Sequence, residues 1–207
     1  MAVDALRAVV DEARAIGAVV ASDECYVELA WEDPWLAAPV PSVLDPAVAR
    51  GSHQGLLALY SLSKQSNMAG YRAAFVAGDP ELVAGLLETR KHVGMMVPDP
   101  VQRAMVAALG DDAHVADQRA VYGARREILA SALTSAGFTI DDSVAGLYLW
   151  ATRGEDSWDT IAWLADRGIV AAPGAFYGVA GTRHVRLALT VTDERLTSAA
   201  RRLVNEQ

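Results

Sequence analysis

Two short segments hold residue types and spacings that could do chemistry. The first is Asp23-Glu24-Cys25-Tyr26, directly after the apolar run Ala18-Val19-Val20-Ala21-Ser22. A run of that kind reads as a buried parallel strand. In open α/β sheets ligands sit beyond the carboxyl ends of strands, so an acid there can face a ligand and a tyrosine three residues on can reach the same one. A solvated turn with an aromatic plug would use the same residues. The second segment is Ser61-Leu62-Ser63-Lys64-Gln65-Ser66-Asn67-Met68-Ala69-Gly70-Tyr71-Arg72, which follows a second strand-like run, Leu56-Leu57-Ala58-Leu59-Tyr60. A lysine that forms covalent adducts with carbonyls needs a partly desolvated amine with its charge lowered by neighbours. A phosphate needs hydroxyl donors and a guanidinium fork. Lys64, flanked by serines and followed eight residues later by Arg72, satisfies both demands in one segment. The plain alternative is a polar surface loop.

These residues must be positioned by the rest of the chain. The 207 residues, about half hydrophobic and a fifth charged, suffice for a sizeable core. An apolar stripe of Ala5, Leu6, Val9, Val10 and Ala13, with Gly17 as C-cap, predicts an opening helix. Strands follow at 18–22, 56–60 and 73–77, all read as buried, with a proline-containing loop over 27–54. Helices are predicted over 80–92, 100–109 and 113–136. The rest reads as a smaller α+β unit: a strand at 147–150, a helix at 158–166 closed by Gly168, strands at 169–171 and 184–189, and a helix at 193–204. The class is α/β, with a natural boundary inside the long helix, near residues 110–125.

Composition excludes some functions. A net charge of -8 argues against nucleic-acid binding, which needs clustered Lys and Arg. His53, His92, His114 and His184 show no metal-ligand spacing, so no metal is expected. One cysteine, Cys25, permits no internal disulfide and fits a reducing cytosol. No apolar run approaches the roughly 20 residues of a membrane span, and the first residues do not read as a signal peptide.

Taken together, Asp23-x-x-Tyr26, Ser61-x-Ser63-Lys64 and Arg72 resemble the pattern of the fold-type I, aspartate-aminotransferase-like enzymes that use pyridoxal phosphate (PLP). The resemblance covers essentially the whole chain. Residues 145–150 look like the family's strand entering its small domain, and residues 172–178 like its active-site-facing loop. Residues 185–189 look like the strand whose arginine, here Arg186, clamps the substrate carboxylate; a strand-edge surface charge is the plainer reading. Residues 21–26, 63–72 and 90–98 are most similar to the actinobacterial type of N-succinyldiaminopimelate aminotransferase.

The resemblance implies a partial PLP-transferase large domain, a mostly parallel sheet with helices over residues 1–115, then a small α+β domain over 116–207. It implies Lys64 as the catalytic and cofactor-bearing residue. Asp23 would pair with the pyridine nitrogen, Tyr26 with the ring oxygen, and Ser61, Ser63 and Arg72 with the phosphate, while Arg186 binds substrate. The implied reaction moves an amino group between glutamate and a keto acid, N-succinyl-2-amino-6-oxopimelate of the diaminopimelate and lysine pathway, in a cytoplasmic homodimer. A PLP-dependent carbon–sulfur β-lyase and a non-catalytic fragment are the alternatives. Family members also carry a phosphate loop, a ring-stacking aromatic and an Asn-Pro-x-Gly turn ahead of the helix that opens this chain. The chain is therefore expected to be the N-terminally truncated back part of such an enzyme and to bind PLP poorly alone.

Overall fold

The computed structural model describes residues 1–94 and 96–204; Met95, within the segment 90–98 quoted above, lies outside the described residues. The chain divides into two compact units, Met1–Gln118 and Arg119–Gln207.

The first unit opens with helix α1 (Val3–Ala15). Leu6 and Val10, one turn apart, are its buried residues, and each removes roughly 1.5–3 kcal/mol worth of apolar surface from water. Val9, expected on the buried stripe, is 45% exposed. Gly17 turns the chain through a left-handed conformation (φ 69°) into strand β1 (Val20–Asp23). Helix α2 (Pro46–Ala49) follows a long loop, with Asp45 accepting a hydrogen bond from Ala47 N at 2.7 Å. Pro46 thus begins a helix rather than extending the loop, because its fixed φ suits the first turn. Val43, Val48 and Ala49 pack with Leu6, Val10, Leu56 and Ala58 in one cluster, and Arg14 Nη2 ties the two helices by donating to Ala49 O at 3.0 Å.

Strand β2 (Leu56–Tyr60) pairs in parallel with β1, Val20 opposite Leu56 and Asp23 opposite Leu59. Next come helix α3 (Leu62–Gln65), a short 3-10 turn (Ala69–Tyr71) and strand β3 (Phe75–Gly78), which runs antiparallel to β2. The sheet order is β1-β2-β3, so β2 is its interior strand. The third strand was expected to be buried, but Phe75 and Val76 are exposed, since β3 lies at the edge. Gly78 takes φ 140°, and a Cβ there would stand 2.1 Å from Leu56 O.

Helix α4 (Pro80–Val93) has no buried residue. It is held at its start by Asp79, whose Oδ1 accepts from Glu81 N (2.9 Å) and Leu82 N (3.4 Å) while Oδ2 accepts from Gly55 N (2.7 Å). The Gly55 hydrogen bond is the main cause that holds the Asp79 carboxyl below its ordinary 3.8, against the opposing effect of burial. A carboxyl lowered in the folded state adds stability that is complete above the unfolded value and is lost as pH falls through the folded one. Asp79→Asn is therefore expected to flatten the acid limb of the stability curve. Urea midpoints measured from about pH 5 down to about pH 2 should drop less steeply than in the parent chain. Equal slopes would remove Asp79 from the acid response.

Helix α5 (Asp99–Leu109) buries Met105 against Leu62 and Ala73. The long helix α6 (Asp112–Ser135) follows and leads into the second unit. There β4 (Thr139–Asp141), β5 (Tyr148–Thr152), β6 (Ala172–Pro173) and β7 (Val185–Ala188) form a sheet of order β4-β5-β7-β6, antiparallel throughout. Helices α7 (Ser157–Asp166) and α8 (Asp193–Val204) complete the unit. Leu133, Leu147, Leu149, Leu164, Leu189 and Leu196 are fully buried. The strand expected at 169–171 lies instead at 172–173: Ile169 is buried but Val170 is 97% exposed, and pairing with β7 begins only at Ala172.

Candidate active site

Because β1 and β2 are parallel neighbours, their carboxyl ends emerge at one edge of the sheet. Each is followed by a tight local structure. After β1 the chain turns over residues 25–28. Asp23 Oδ1 accepts from Cys25 N at 3.1 Å, and Glu24 N donates to Leu59 O at 2.9 Å. The Glu24 side chain is buried, and its Oε1 accepts from Val43 N at 2.7 Å. This carboxylate satisfies a backbone donor of the long loop and holds that loop against the turn. After β2, Ser61 caps α3: its hydroxyl accepts from Ser63 N at 3.2 Å and lies 2.7 Å from Ser63 Oγ and 3.2 Å from Ala73 O.

These two turns bring together residues about forty positions apart. Lys64 Nζ lies 5.6 Å from the centroid of the Tyr26 ring. The Asp23 carboxyl is held below its ordinary value, first by the Cys25 thiol and backbone N–H that bond to it, and further by the positive charge of Lys64. The chain holds only two lysines. The other, Lys91, is ion-paired with Glu88 at 2.6 Å on exposed α4. Ser61 and Ser63 present paired hydroxyls one turn from Lys64. Arg72 takes a left-handed conformation (φ 52°) after the 3-10 turn and is exposed, with Nη1 donating to Ala69 O at 3.1 Å. Its fork is thus folded back on its own turn.

Cys25 stands two residues past Asp23, and residues two apart along an extended chain share a face; its thiol accordingly lies against the Asp23 carboxylate. Burial, then the hydrogen bond to Asp23, push that thiol up to about 11. It is a donor held in its neutral form, poorly suited to act as a nucleophile. Tyr60, pushed up to about 12 mainly by burial and then by Glu28, donates to Gln65 Oε1.

In the second unit the alternation expected for β7 holds. Val185, Leu187 and Leu189 are buried, while Arg186 and Ala188 share the other face. The Arg186 guanidinium carbon lies 4.2 Å from the Tyr148 ring centroid and 5.2 Å from that of Tyr177. Neither tyrosine was singled out from sequence as a partner of Arg186. The signal was available for Tyr148, which faces Ala188 across the β5–β7 pair. Tyr177 packs edge-on against Trp150 (5.6 Å, 84°), and Trp150 stacks on His184 (5.1 Å, 6°), whose Nε2 is 2.9 Å from Asp141 Oδ2. Aromatic faces and edges on one guanidinium restrict its rotation and leave the fork set for an anion. Among the described residues no group of three or more His, Cys, Asp or Glu is arranged to hold a metal ion, and no helix is long and apolar enough to cross a membrane.

A half-buried lysine amine beside an ionised acid suits a carbonyl compound held covalently on one side and a cation held on the other, as in enzymes that work through a bound organic cofactor. The model of the family "Aminotransferase class I and II" matches residues 1–203, and the chain belongs to that family, whose members depend on PLP. It is 61% identical over 98% of its length to the probable aminotransferase Rv1178 of Mycobacterium tuberculosis, covering 47% of that protein. It is 56% identical, again over 98%, to the 4-dedimethylamino-4-oxo-anhydrotetracycline transaminase OxyQ of Streptomyces rimosus, covering 55%. Among solved structures it matches N-succinyldiaminopimelate aminotransferase from Mycobacterium tuberculosis with a TM-score of 0.82 and 29% identity, over 96% of this chain and 52% of that one. An aminotransferase from Neisseria meningitidis matches at 0.84 and 33%, over 98% and 53%. The chain thus spans about half the length of the curated relatives it matches.

Proposed function

We propose that this chain carries the lysine-bearing part of an enzyme that transfers an amino group between glutamate and a keto acid, N-succinyl-2-amino-6-oxopimelate of diaminopimelate synthesis. The observation that carries the reading is the convergence of Asp23, Tyr26 and Lys64 at the ends of two parallel strands. The residues fit the cofactor: an amine for its aldehyde, an ionised acid for its ring nitrogen, and paired hydroxyls with a nearby guanidinium for its phosphate. PLP, when bound, supplies the electron sink. Lys64 Nζ moves the proton to and from the substrate Cα as general base and acid. Asp23, already held ionised, keeps a cation opposite it protonated. Tyr26 donates from its hydroxyl to the ring oxygen. Ser61, Ser63 and Arg72 hold the phosphate, for which the Arg72 fork must leave Ala69 O. Arg186 grips the α-carboxylate in the bidentate manner that guanidinium geometry favours. The same reading takes the working form to be a cytoplasmic homodimer.

Relatives named for diaminopimelate substrates support this acceptor. The 56% identity to OxyQ supports a second reading, in which the amino group goes to a polycyclic ketone. The test is an assay, with PLP, of a complete enzyme in which this segment is joined to the family's phosphate loop and ring-stacking aromatic. It is given glutamate plus each acceptor, and separately cystathionine; the same enzyme is the parent of the variants tested for activity. Glutamate-dependent 2-oxoglutarate formation with the succinylated keto acid is expected. Turnover with only a polycyclic ketone would select the second reading, and cystathionine cleavage without amino transfer would replace both.

For the clamp, Arg186→Ala is expected to lower kcat/KM for glutamate by about a hundredfold, as loss of a charge-assisted bidentate contact should, while Lys64-dependent cofactor absorbance is retained. Unchanged glutamate kinetics would sink the clamp role.

A further inference from the structure

The second unit contains another pocket, of about 540 Å³, remote in sequence from every residue assigned above. It is lined by Arg153, Trp163, Arg167, Leu203, Val204 and the turn 135–137. Among the described residues its charged lining groups are Arg153 and Arg167. The Arg167 guanidinium carbon lies 3.7 Å from the Trp163 ring centroid, and that of Arg153 4.2 Å from the same centroid. Two like charges are therefore held on one indole, well within a screening length of each other. Phe138 packs against the Trp163 ring at 5.8 Å and 60°, which fixes the indole.

The hydrogen bonds of these arginines are incomplete. Arg167 Nη1 donates to Trp163 O at 3.1 Å. Arg153 Nη1 is buried with no hydrogen-bond partner; Glu155 Oε1 stands 3.6 Å away, an ion-pair distance too long for a hydrogen bond. That Glu155 oxygen already accepts from Thr160 Oγ1 at 3.0 Å. Leaving a buried charged donor unmet is costly. Stacking on an aromatic face fixes the plane of a guanidinium and leaves its N–H edges for a planar oxygen pair. In a chain of net charge -8, general attraction does not draw anions, so any anion bound here needs a built local site.

We propose that the Arg153–Trp163–Arg167 pocket binds an oxyanion, the carboxylate or phosphate group of a small molecule, at a site separate from the Lys64 segment and from Arg186. The test is calorimetric titration of the full chain at low ionic strength with inorganic phosphate and, in a separate arm, with succinate. In an Arg72→Ala/Arg186→Ala background, which removes the arginines assigned above to a phosphate and a carboxylate, one saturable site is expected for at least one probe, weakened about tenfold or more by Arg153→Gln and by Arg167→Gln. Binding of phosphate alone identifies a phosphate group as the ligand, and binding of succinate alone a carboxylate. Arg167→Lys keeps the charge without the fork and should weaken binding less than Arg167→Gln; it also serves should a glutamine variant fail to fold. The proposal is overturned by no saturable binding of either probe. It is equally overturned by binding in that background that survives both glutamine substitutions.

Discussion

Lys64→Ala is expected to lower glutamate-driven amino transfer by about a thousandfold or more, the upper part of the range for losing a positioned general base. It should also remove the visible absorbance that PLP develops with the parent protein. The argument is one of supply. The chain has two lysines, and only Lys64 stands beside the Asp23 carboxylate and the Tyr26 ring. Lys91 is tied to Glu88 on the exposed face of α4, so Lys91→Ala is expected to stay within about twofold of the parent, as a surface change away from the site should. Borohydride reduction followed by peptide mapping gives a readout that does not depend on turnover. The cofactor should be found on the peptide containing Lys64 and not on that containing Lys91. A cofactor mapped to Lys91, or activity kept by Lys64→Ala, would remove Lys64 from the chemistry.

Gly174→Ala is expected to destabilise the second unit by about 3 kcal/mol, the upper end for forcing extra volume into packed structure. A Cβ at Gly174 would stand 2.2 Å from Gly181 O, 2.5 Å from His184 O and 2.9 Å from the Trp150 ring. Two of those atoms are backbone and cannot swing away. Gly174 N donates to His184 O at 2.7 Å, so spreading the contact breaks a hydrogen bond as well. The loop closed by this crossing carries Tyr177, one of the two rings around Arg186. Loosening the loop should therefore free the Arg186 fork and raise KM for glutamate before kcat falls. Urea denaturation followed by tryptophan fluorescence measures the first effect. Gly70→Ala, where nothing lies within 4 Å of the added carbon, is the neutral control. Equal midpoints for Gly174→Ala and the parent would show that the crossing is looser than its distances.

Much of this was legible in the residues. The long helices could be read because their starts carry proline or acid and their ends carry glycine, features that act locally. Strand β2 was read to the residue, being apolar on both faces. Helix α3 was not, since four residues carry no period; it exists because Ser61 caps it and Leu62 is buried in the cluster with Met105. The run 169–171 looked like a strand from composition, but pairing partners decide strands, and β7 offers its partners to Ala172 and Pro173. The meeting of Asp23, Tyr26 and Lys64 at neighbouring strand ends was legible because motif and strand end coincide. The tyrosines around Arg186 were not, because their contact depends on cross-strand register and on a loop crossing that leave no local pattern.

The position of β1 beside β2 has a consequence for isotope labelling. Val20 N donates to Gly55 O and Glu24 N to Leu59 O, both at 2.9 Å, so alternate amides along β1 point toward β2 and those between them point the other way. Deuterium uptake resolved to single residues should form a comb, slow at Val20, Ser22 and Glu24 and fast at Ala21 and Asp23, with no such alternation in the interior strand β2. Should Ala21 and Asp23 also prove slow, another strand must sit along that edge in solution, and the teeth missing from the comb would locate it.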